Sequence, residues 1–155
     1  MAQEHQADTA PFRYLLRVRY GECDAQQVVF NARYADYVDL TVTEFWRAMG
    51  LSYTEMMAQG LDNQLVSLSL QWTSPGRFDD VLAVDVETLR LGTTSFTLSF
   101  SFSQYPSARP IATAEAVYVL LDIDQWRKTP IPDVLRERLT AGARGLVIDH
   151  AAASA

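Results

Sequence analysis

The sequence predicts a two-layer α+β domain, an antiparallel sheet with one dry face covered by a single long helix. Three observations carry this. Tyr34, Tyr37, Val38, Thr41, Phe45, Trp46 and Met49 recur at helical spacing. From Leu65 to Leu121 the pattern changes to alternation, in four runs separated by turn residues. One further alternating run precedes the helix, so the order is strand, helix, then four strands, about five strands in all.

Residues 1–11 are polar and are expected to form a flexible tail that includes His5. Between Phe12 and Tyr20, Tyr14, Leu16, Val18 and Tyr20 share one face, with Arg13, Leu15, Arg17 and Arg19 on the other. That is the pattern of a half-buried strand, and Gly21 permits a break at its end. A loop from Glu22 to Phe30 leads to Asn31, a good helix N-cap. The helix is expected to begin near Ala32 and to stop at Gly50, placed as a C′ residue. A short helix is expected over Tyr53 to Gln59, closed by Gly60.

Strands follow. Val66, Leu68, Leu70 and Trp72 alternate with Leu65, Ser67, Ser69 and Gln71, and Ser74-Pro75-Gly76 turns the chain. Leu82, Val84 and Val86 alternate with Ala83, Asp85 and Glu87, and Gly92 marks the next turn. Phe96, Leu98, Phe100 and Phe102 alternate with Thr97, Ser99, Ser101 and Ser103, an apolar stripe expected to lie under the helix. Ile111 to Leu121 is apolar on both faces, as a central or interfacial strand is. A short helix is expected from Asp133 to Thr140. Residues 146–155, with His150, are expected to fray, which leaves 12–145 as one domain. A sheet of this size has open edges, and a homodimer with a continuous sheet, or a tetramer of two dimers, would cover them.

The chain has 155 residues, 48% apolar and 21% charged, with a formal net charge of −6. The acidic balance and the lack of a basic run argue against a nucleic-acid partner. Twelve of the thirteen basic residues are arginine, Lys128 being the one lysine. Cys23 is the single cysteine, so no intrachain disulfide forms. No apolar run approaches the roughly 18 residues of a membrane span, and the polar start is no signal peptide; a cytoplasmic location is the expectation.

These counts also restrict the chemistry. Two histidines, both in expected tails, make Ser-His-Asp and Cys-His catalysis improbable and leave a zinc or iron site few ligands. The seven glycines form neither a dinucleotide fingerprint nor a P-loop. Carboxylate chemistry, helix-dipole electrostatics, hydroxyls and arginine remain. The stretch Val18 to Tyr34 supplies the first two, since it sets one carboxylate loop before the start of the long helix.

Val18-Arg19-Tyr20-Gly21-Glu22-Cys23-Asp24, followed by Val28-Val29-Phe30-Asn31-Ala32-Arg33-Tyr34, resembles the signature of hotdog-fold acyl-CoA thioesterases of the 4-hydroxybenzoyl-CoA thioesterase type. Phe78-Asp79-Asp80-Val81-Leu82 resembles that family's entry into its third strand, and the likeness extends over roughly residues 12–122 with its element order. The resemblance implies a sheet wrapped around the central helix. It also implies an active site between subunits and an acyl-CoA substrate; an acid opposite a helix N-terminus can do such hydrolysis with no cofactor or metal. Asp24 then matches the catalytic carboxylate, as nucleophile or general base. A backbone N–H at Asn31, of the same chain or a partner, would polarise the thioester carbonyl. Two positions depart from the family: a glycine usual three residues after the Asp is Gln27, and Asn31 stands where several members have histidine or proline. These leave the acyl group open. An acyl-ACP thioesterase, a non-catalytic acyl-CoA binding module and a purely structural oligomer are the alternatives.

Other residues are weaker candidates. Tyr20 and Tyr34 line the pocket or belong to the core. Ser67 and Ser69 lie on the polar side of their strand, within reach of a bound water or acyl group if that side faces the site. Arg77, Arg90 and Arg109 are candidates for CoA phosphates at a dimer edge. Cys23 reads as a small packed residue, because no base is at hand to activate it. Glu22, Asp36, Asp39 and Glu44 read as solvated positions, with Glu44 the substitute acid should Asp24 not serve.

Overall fold

The computed structural model describes residues 10–153. Its elements are β1 (Phe12–Arg17), α1 (Arg33–Ala48), α2 (Tyr53–Ala58), β2 (Leu61–Trp72), β3 (Val81–Leu91), β4 (Ser95–Tyr105), β5 (Arg109–Asp122), β6 (Arg127–Lys128), α3 (Asp133–Ala141) and β7 (Val147–Asp149). The strands form one sheet in the order β2-β5-β4-β3-β1-β7, with β6 beside β5. All pairings are antiparallel except β1 with β7.

The apolar stripe of α1 explains where the helix sits. Tyr34, Tyr37, Val38, Thr41, Val42, Phe45 and Trp46 are all buried, and so are Phe96, Leu98, Phe100 and Phe102 of β4. Tyr34 meets Phe102 edge to face at 5.6 Å, and Trp46 meets Phe96 at 5.8 Å. The helix therefore runs antiparallel to β4, with its N-terminus at the Phe102 end. Burying each such aromatic contributes about 1.5–3 kcal/mol. On the opposite face of the sheet Ser99, Ser101 and Ser103 follow the same alternation outward.

The α+β class, the central helix and the strands near Phe12, Val66, Leu82, Phe96 and Ile111 are where the sequence places them. Four details differ. Seven strands replace about five, because a two-residue β6 pairs with Leu121 and Asp122 and β7 pairs in parallel with Arg13, Tyr14 and Leu15. The segment expected to fray after Gly145 is thereby ordered through Ala153. His150 donates its backbone N–H to the Leu15 carbonyl (2.9 Å), and its Nδ1 lies 3.0 Å from the Tyr14 hydroxyl. Ala151 is buried against Leu15, Val81 and Ala83, which is why Leu15, on the outer face, is dry. The first strand ends at Arg17 instead of Tyr20, and a 3-10 turn, Tyr20–Glu22, follows. Asn31 is not the side-chain cap: α1 starts one residue later, from Ala32, without a side-chain cap bond. Ser52 is a cap the sequence reading passed over, forming a reciprocal capping box with Glu55 at the start of α2. The expected tail at 1–11 falls almost wholly outside the described residues.

Candidate active site

Between β1 and α1 the chain folds into a small hairpin. The Cys23 and Val29 backbones bridge, the Asp24 N–H donates to the Val28 carbonyl (2.9 Å), and the Gln27 N–H returns to the Asp24 carbonyl (2.9 Å). Asp24 opens the turn, with its Oδ1 accepting the Gln26 N–H at 2.8 Å, as Asx turns do. Gln27 sits at φ 62°, the left-handed position after a tight turn that glycine fills most easily. The family's usual glycine at this position has a physical reason, and Gln27 occupies the same conformation with a side chain.

The hairpin leads directly into α1. The Arg33, Tyr34 and Ala35 amides bond back to the carbonyls of Phe30, Asn31 and Ala32. Among the described residues no acceptor meets the Asn31 or Ala32 N–H. Those two amides are the free positive end of the helix dipole. Asp24 Oδ2 likewise meets no donor among the described residues. The second leg of the hairpin rests on the turn before β3, where the Val29 N–H donates to the Gly76 carbonyl (2.8 Å) and Val28 bridges Arg77.

A cleft of about 420 Å³ opens over the hairpin, lined by Tyr20, Gly21, Cys23, Asp24, Ala25, Gln27 and Phe78. Tyr20 (83% exposed) and Phe78 (55% exposed) form its rim, edge to face at 6.1 Å. Cys23 shares the wall, but burial and the Glu22, Asp24 and Asp80 carboxylates push its thiol pKa up, which disfavours the thiolate a nucleophile needs. Among the described residues no three His, Cys, Asp or Glu side chains converge as metal ligands.

The model of the thioesterase-like superfamily matches residues 18–139. A putative esterase of Aquifex aeolicus is 33% identical over 111 residues, 72% of this chain and 85% of that protein. The acyl-CoA thioester hydrolase YbgC of Escherichia coli is 25% identical over 123 residues, 79% of this chain and 90% of that one. A crystal structure of a hypothetical protein from Aquifex aeolicus superposes with a TM-score of 0.78 at 28% identity, covering 83% of this chain and 99% of that one. The chain belongs to the thioesterase-like superfamily. Its fold is the hotdog of that superfamily, and the matched span contains the hairpin and the whole of the cleft.

Within this superfamily fold the other candidates separate. Tyr20 is in the cleft with Asp24, whereas the Tyr34 ring is buried beneath the hairpin, with its hydroxyl accepting the Gly76 N–H (3.3 Å). Asn31 is exposed and is not part of the cleft wall. Ser67 and Ser69 lie opposite Val117 and Glu115, on the sheet face away from α1, so they do not approach Asp24 of their own chain. Arg77 is exposed next to the hairpin, and its guanidinium makes no ion pair among the described residues. Arg109 is braced in the turn below, donating to the Pro75 carbonyl (3.1 Å) and the Ser74 hydroxyl. Arg90 is at the far end of β3, nine residues from Val81, roughly 30 Å at the usual strand rise, and cannot serve the Asp24 of its own chain. Glu44 pairs with Arg47 at 3.1 Å.

Two features escaped the sequence reading. Phe78 is a wall of the cleft, signalled only by an exposed aromatic in a turn. Glu22, read as solvated, accepts the Tyr37 hydroxyl at 3.0 Å. On the β2 side, Trp46 and Asn63 line another cleft of about 410 Å³ with Asp39, Tyr53 and Asp62. Trp46 Nε1 and Asn63 Nδ2 are buried without an acceptor among the described residues.

Proposed function

We propose that this protein hydrolyses acyl-CoA thioesters to a carboxylic acid and free CoA, with Asp24 as the reacting carboxylate. The observation that carries the reading is the hairpin itself, which joins a carboxylate with one oxygen free of donors among the described residues to two amides at a helix N-terminus that meet no acceptor among them. As a general base, Asp24 takes a proton from water; the hydroxide adds to the thioester carbonyl carbon, and the oxyanion is held by the amides at Asn31 and Ala32. The C–S bond then breaks, and the proton passes to the departing CoA thiolate. As a nucleophile, Asp24 adds first, expels the thiolate, and leaves an anhydride that water cleaves. Each oxyanion donor lowers the barrier by about 3 kcal/mol. Neither route requires a metal or cofactor. Arg77 is the arginine best placed for a CoA phosphate. Tyr20 and Phe78 offer ring faces to the substrate.

The active unit in this reading is a homodimer. Among the described residues β2 pairs only with β5, so its other edge has no strand partner there over twelve residues. Val66 (56% exposed) and Trp72 (46% exposed) lie along it. An edge of this kind favours pairing with a second copy, and a Val66→Lys variant that is monomeric by light scattering and inactive is the expected result.

The primary test is release of free thiol from acetyl-, hexanoyl-, palmitoyl-, benzoyl- and 4-hydroxybenzoyl-CoA, with acyl-ACP alongside. At least one CoA ester should turn over, and Asp24→Asn should lower that rate by about 100-fold or more. Turnover of acyl-ACP alone would replace the carrier, turnover of nothing would leave a binding module, and full activity in Asp24→Asn would move the chemistry elsewhere. Single-turnover reaction in ¹⁸O water separates the routes, since label enters the Asp24 side chain only through the anhydride.

A further inference from the structure

Two tyrosines of α1 hold the two legs of the Asp24 hairpin. On the first leg, Glu22 Oε1 accepts the Tyr37 hydroxyl (3.0 Å) and the Arg19 N–H (2.7 Å), while the Glu22 carbonyl accepts the Phe30 N–H (2.9 Å). On the second leg, Gly76 accepts the Val29 N–H and donates its own N–H to the Tyr34 hydroxyl. The Tyr34 and Tyr37 rings touch edge to face, 5.8 Å between centroids, and both are buried. The tip of the hairpin, from Ala25 to Gln27, is exposed and has no such support. The phenol–carboxylate bond is charge-assisted, the stronger kind. Burial and the Glu22 charge raise the Tyr37 pKa, so the phenol stays a donor through the neutral range.

We infer that Glu22 and Tyr37 are positioning residues for thioester hydrolysis, setting the Asp24 carboxylate relative to the amides at Asn31 and Ala32, with Tyr34 bracing the other leg. The inference rests on Asp24 being the reacting carboxylate. Its logic is geometric: an error of about 1 Å at a reacting group costs on the order of 100-fold in rate. Glu22 is two residues from Asp24, and Tyr37 sits one helical turn past Arg33, the first residue of α1. One hydrogen bond thus joins the carboxylate's own strand to the helix that carries the amides.

The test uses the full chain and a CoA ester that it hydrolyses. Tyr37→Phe keeps the buried ring and removes only the donor; Glu22→Ala removes the acceptor from a half-exposed position and should fold regardless. Each is expected to lower kcat about tenfold, with KM within about twofold. Glu22→Gln, whose amide oxygen still accepts both bonds, should stay within about threefold of the parent, and the double variant should be no slower than either single one. Unchanged kcat in Tyr37→Phe and Glu22→Ala, whatever their melting temperatures, overturns the inference. So does a Glu22→Gln as slow as Glu22→Ala, because Glu22 would then act chemically, and so do two effects that multiply. Asp24→Asn in the same assay separates the two levels: activity surviving there sinks the reading of Asp24, while its loss beside a fast Tyr37→Phe sinks only the positioning role.

Discussion

Gln27→Gly should stabilise the protein. The Gln27 backbone is at φ 62°, where an L-residue is disfavoured by roughly 1–2 kcal/mol and glycine is not. Against this, glycine loses more backbone freedom on folding, by about 0.5–1 kcal/mol. The Gln27 side chain is exposed, and no hydrogen bond from it to another described residue opposes the change. The net expectation is a gain of about 0.5–1 kcal/mol, which at this chain length raises Tm by roughly 1–4 °C. Differential scanning calorimetry at neutral pH measures it, with Gln27→Ala as the control, since alanine removes the side chain and keeps the φ penalty. Gln27→Gly should therefore melt above Gln27→Ala as well as above the parent. A Gln27→Gly that melts at or below Gln27→Ala would refute the assignment of strain to this position. Because Gln27 also walls the cleft, the same variants report on substrate: if the side chain selects the acyl group, both substitutions shift the rank order of the CoA esters alike.

Two further outcomes follow from contacts at the hairpin. A Cβ at Gly76 would lie 3.3 Å from Val29 Cγ2 and 3.4 Å from the Tyr34 hydroxyl, so Gly76→Ala should destabilise by about 1–3 kcal/mol, as overpacking does, and lower kcat more than it raises KM. Cys23 has its pKa raised, chiefly by burial and then by three carboxylates. A raised pKa leaves less thiolate at neutral pH, so iodoacetamide should react more slowly than with a free cysteine at pH 7.5. Its rate should still be climbing about tenfold per pH unit above the ordinary thiol range, and Cys23→Ser should keep full activity.

What was legible in the sequence and what was not divides along physical lines. The helix and the β4 stripe were legible because period 3.6 and period 2 persist over many residues in α1 and β4. The Asp24 loop was legible through a local signature, Glu22-Cys23-Asp24 before Val28-Val29-Phe30. β2 shows the limit. A bulge at Val66 separates Leu65, opposite Tyr118, from Ser67, opposite Val117, so the inward phase changes from odd to even numbers within one strand. Alternation alone does not reveal such a slip, and with it Leu65 joins the face of Tyr118, while Ser67 and Ser69 stay on the outer face where alternation puts them. Arg90 shows a different limit: charge type names a ligand class, whereas distance along a strand decides which end of the sheet the charge reaches, and Arg90 lies far from the Asp24 of its own chain. Glu22 looked solvated because its partner, Tyr37, is fifteen residues away on the helix.

The C-terminal segment is the region where pattern was least informative, and removing residues 146–155 tests how much it contributes. Val147 to Asp149 offers only three residues of strand, too short for periodicity to register. Its connections are nonetheless specific. The Arg13 N–H donates to the Leu146 carbonyl (3.0 Å) and the His150 N–H to the Leu15 carbonyl (2.9 Å). The Arg17 guanidinium donates to the Ala151 carbonyl at 3.0 and 3.2 Å and also to the Asp79 carbonyl at 3.1 Å. Truncation uncovers Leu15, Val81 and Ala83, deprives Arg17 of one of its acceptors and opens the edge of β1. Partial exposure of two large side chains with loss of these bonds amounts to about 2–3 kcal/mol, a fall in Tm of roughly 4–12 °C. Tyr14→Phe, which removes only the hydroxyl facing His150 Nδ1, should account for about 1 kcal/mol or less of it. Because Arg17 also steadies the turn that carries Phe78, the truncated protein should bind its CoA ester more weakly while Asp24 chemistry continues, so KM rises more than kcat falls. A truncated protein that melts within 1 °C of the full chain would mean that these bonds merely exchange with water, and that the domain ends, in energetic terms, at Gly145.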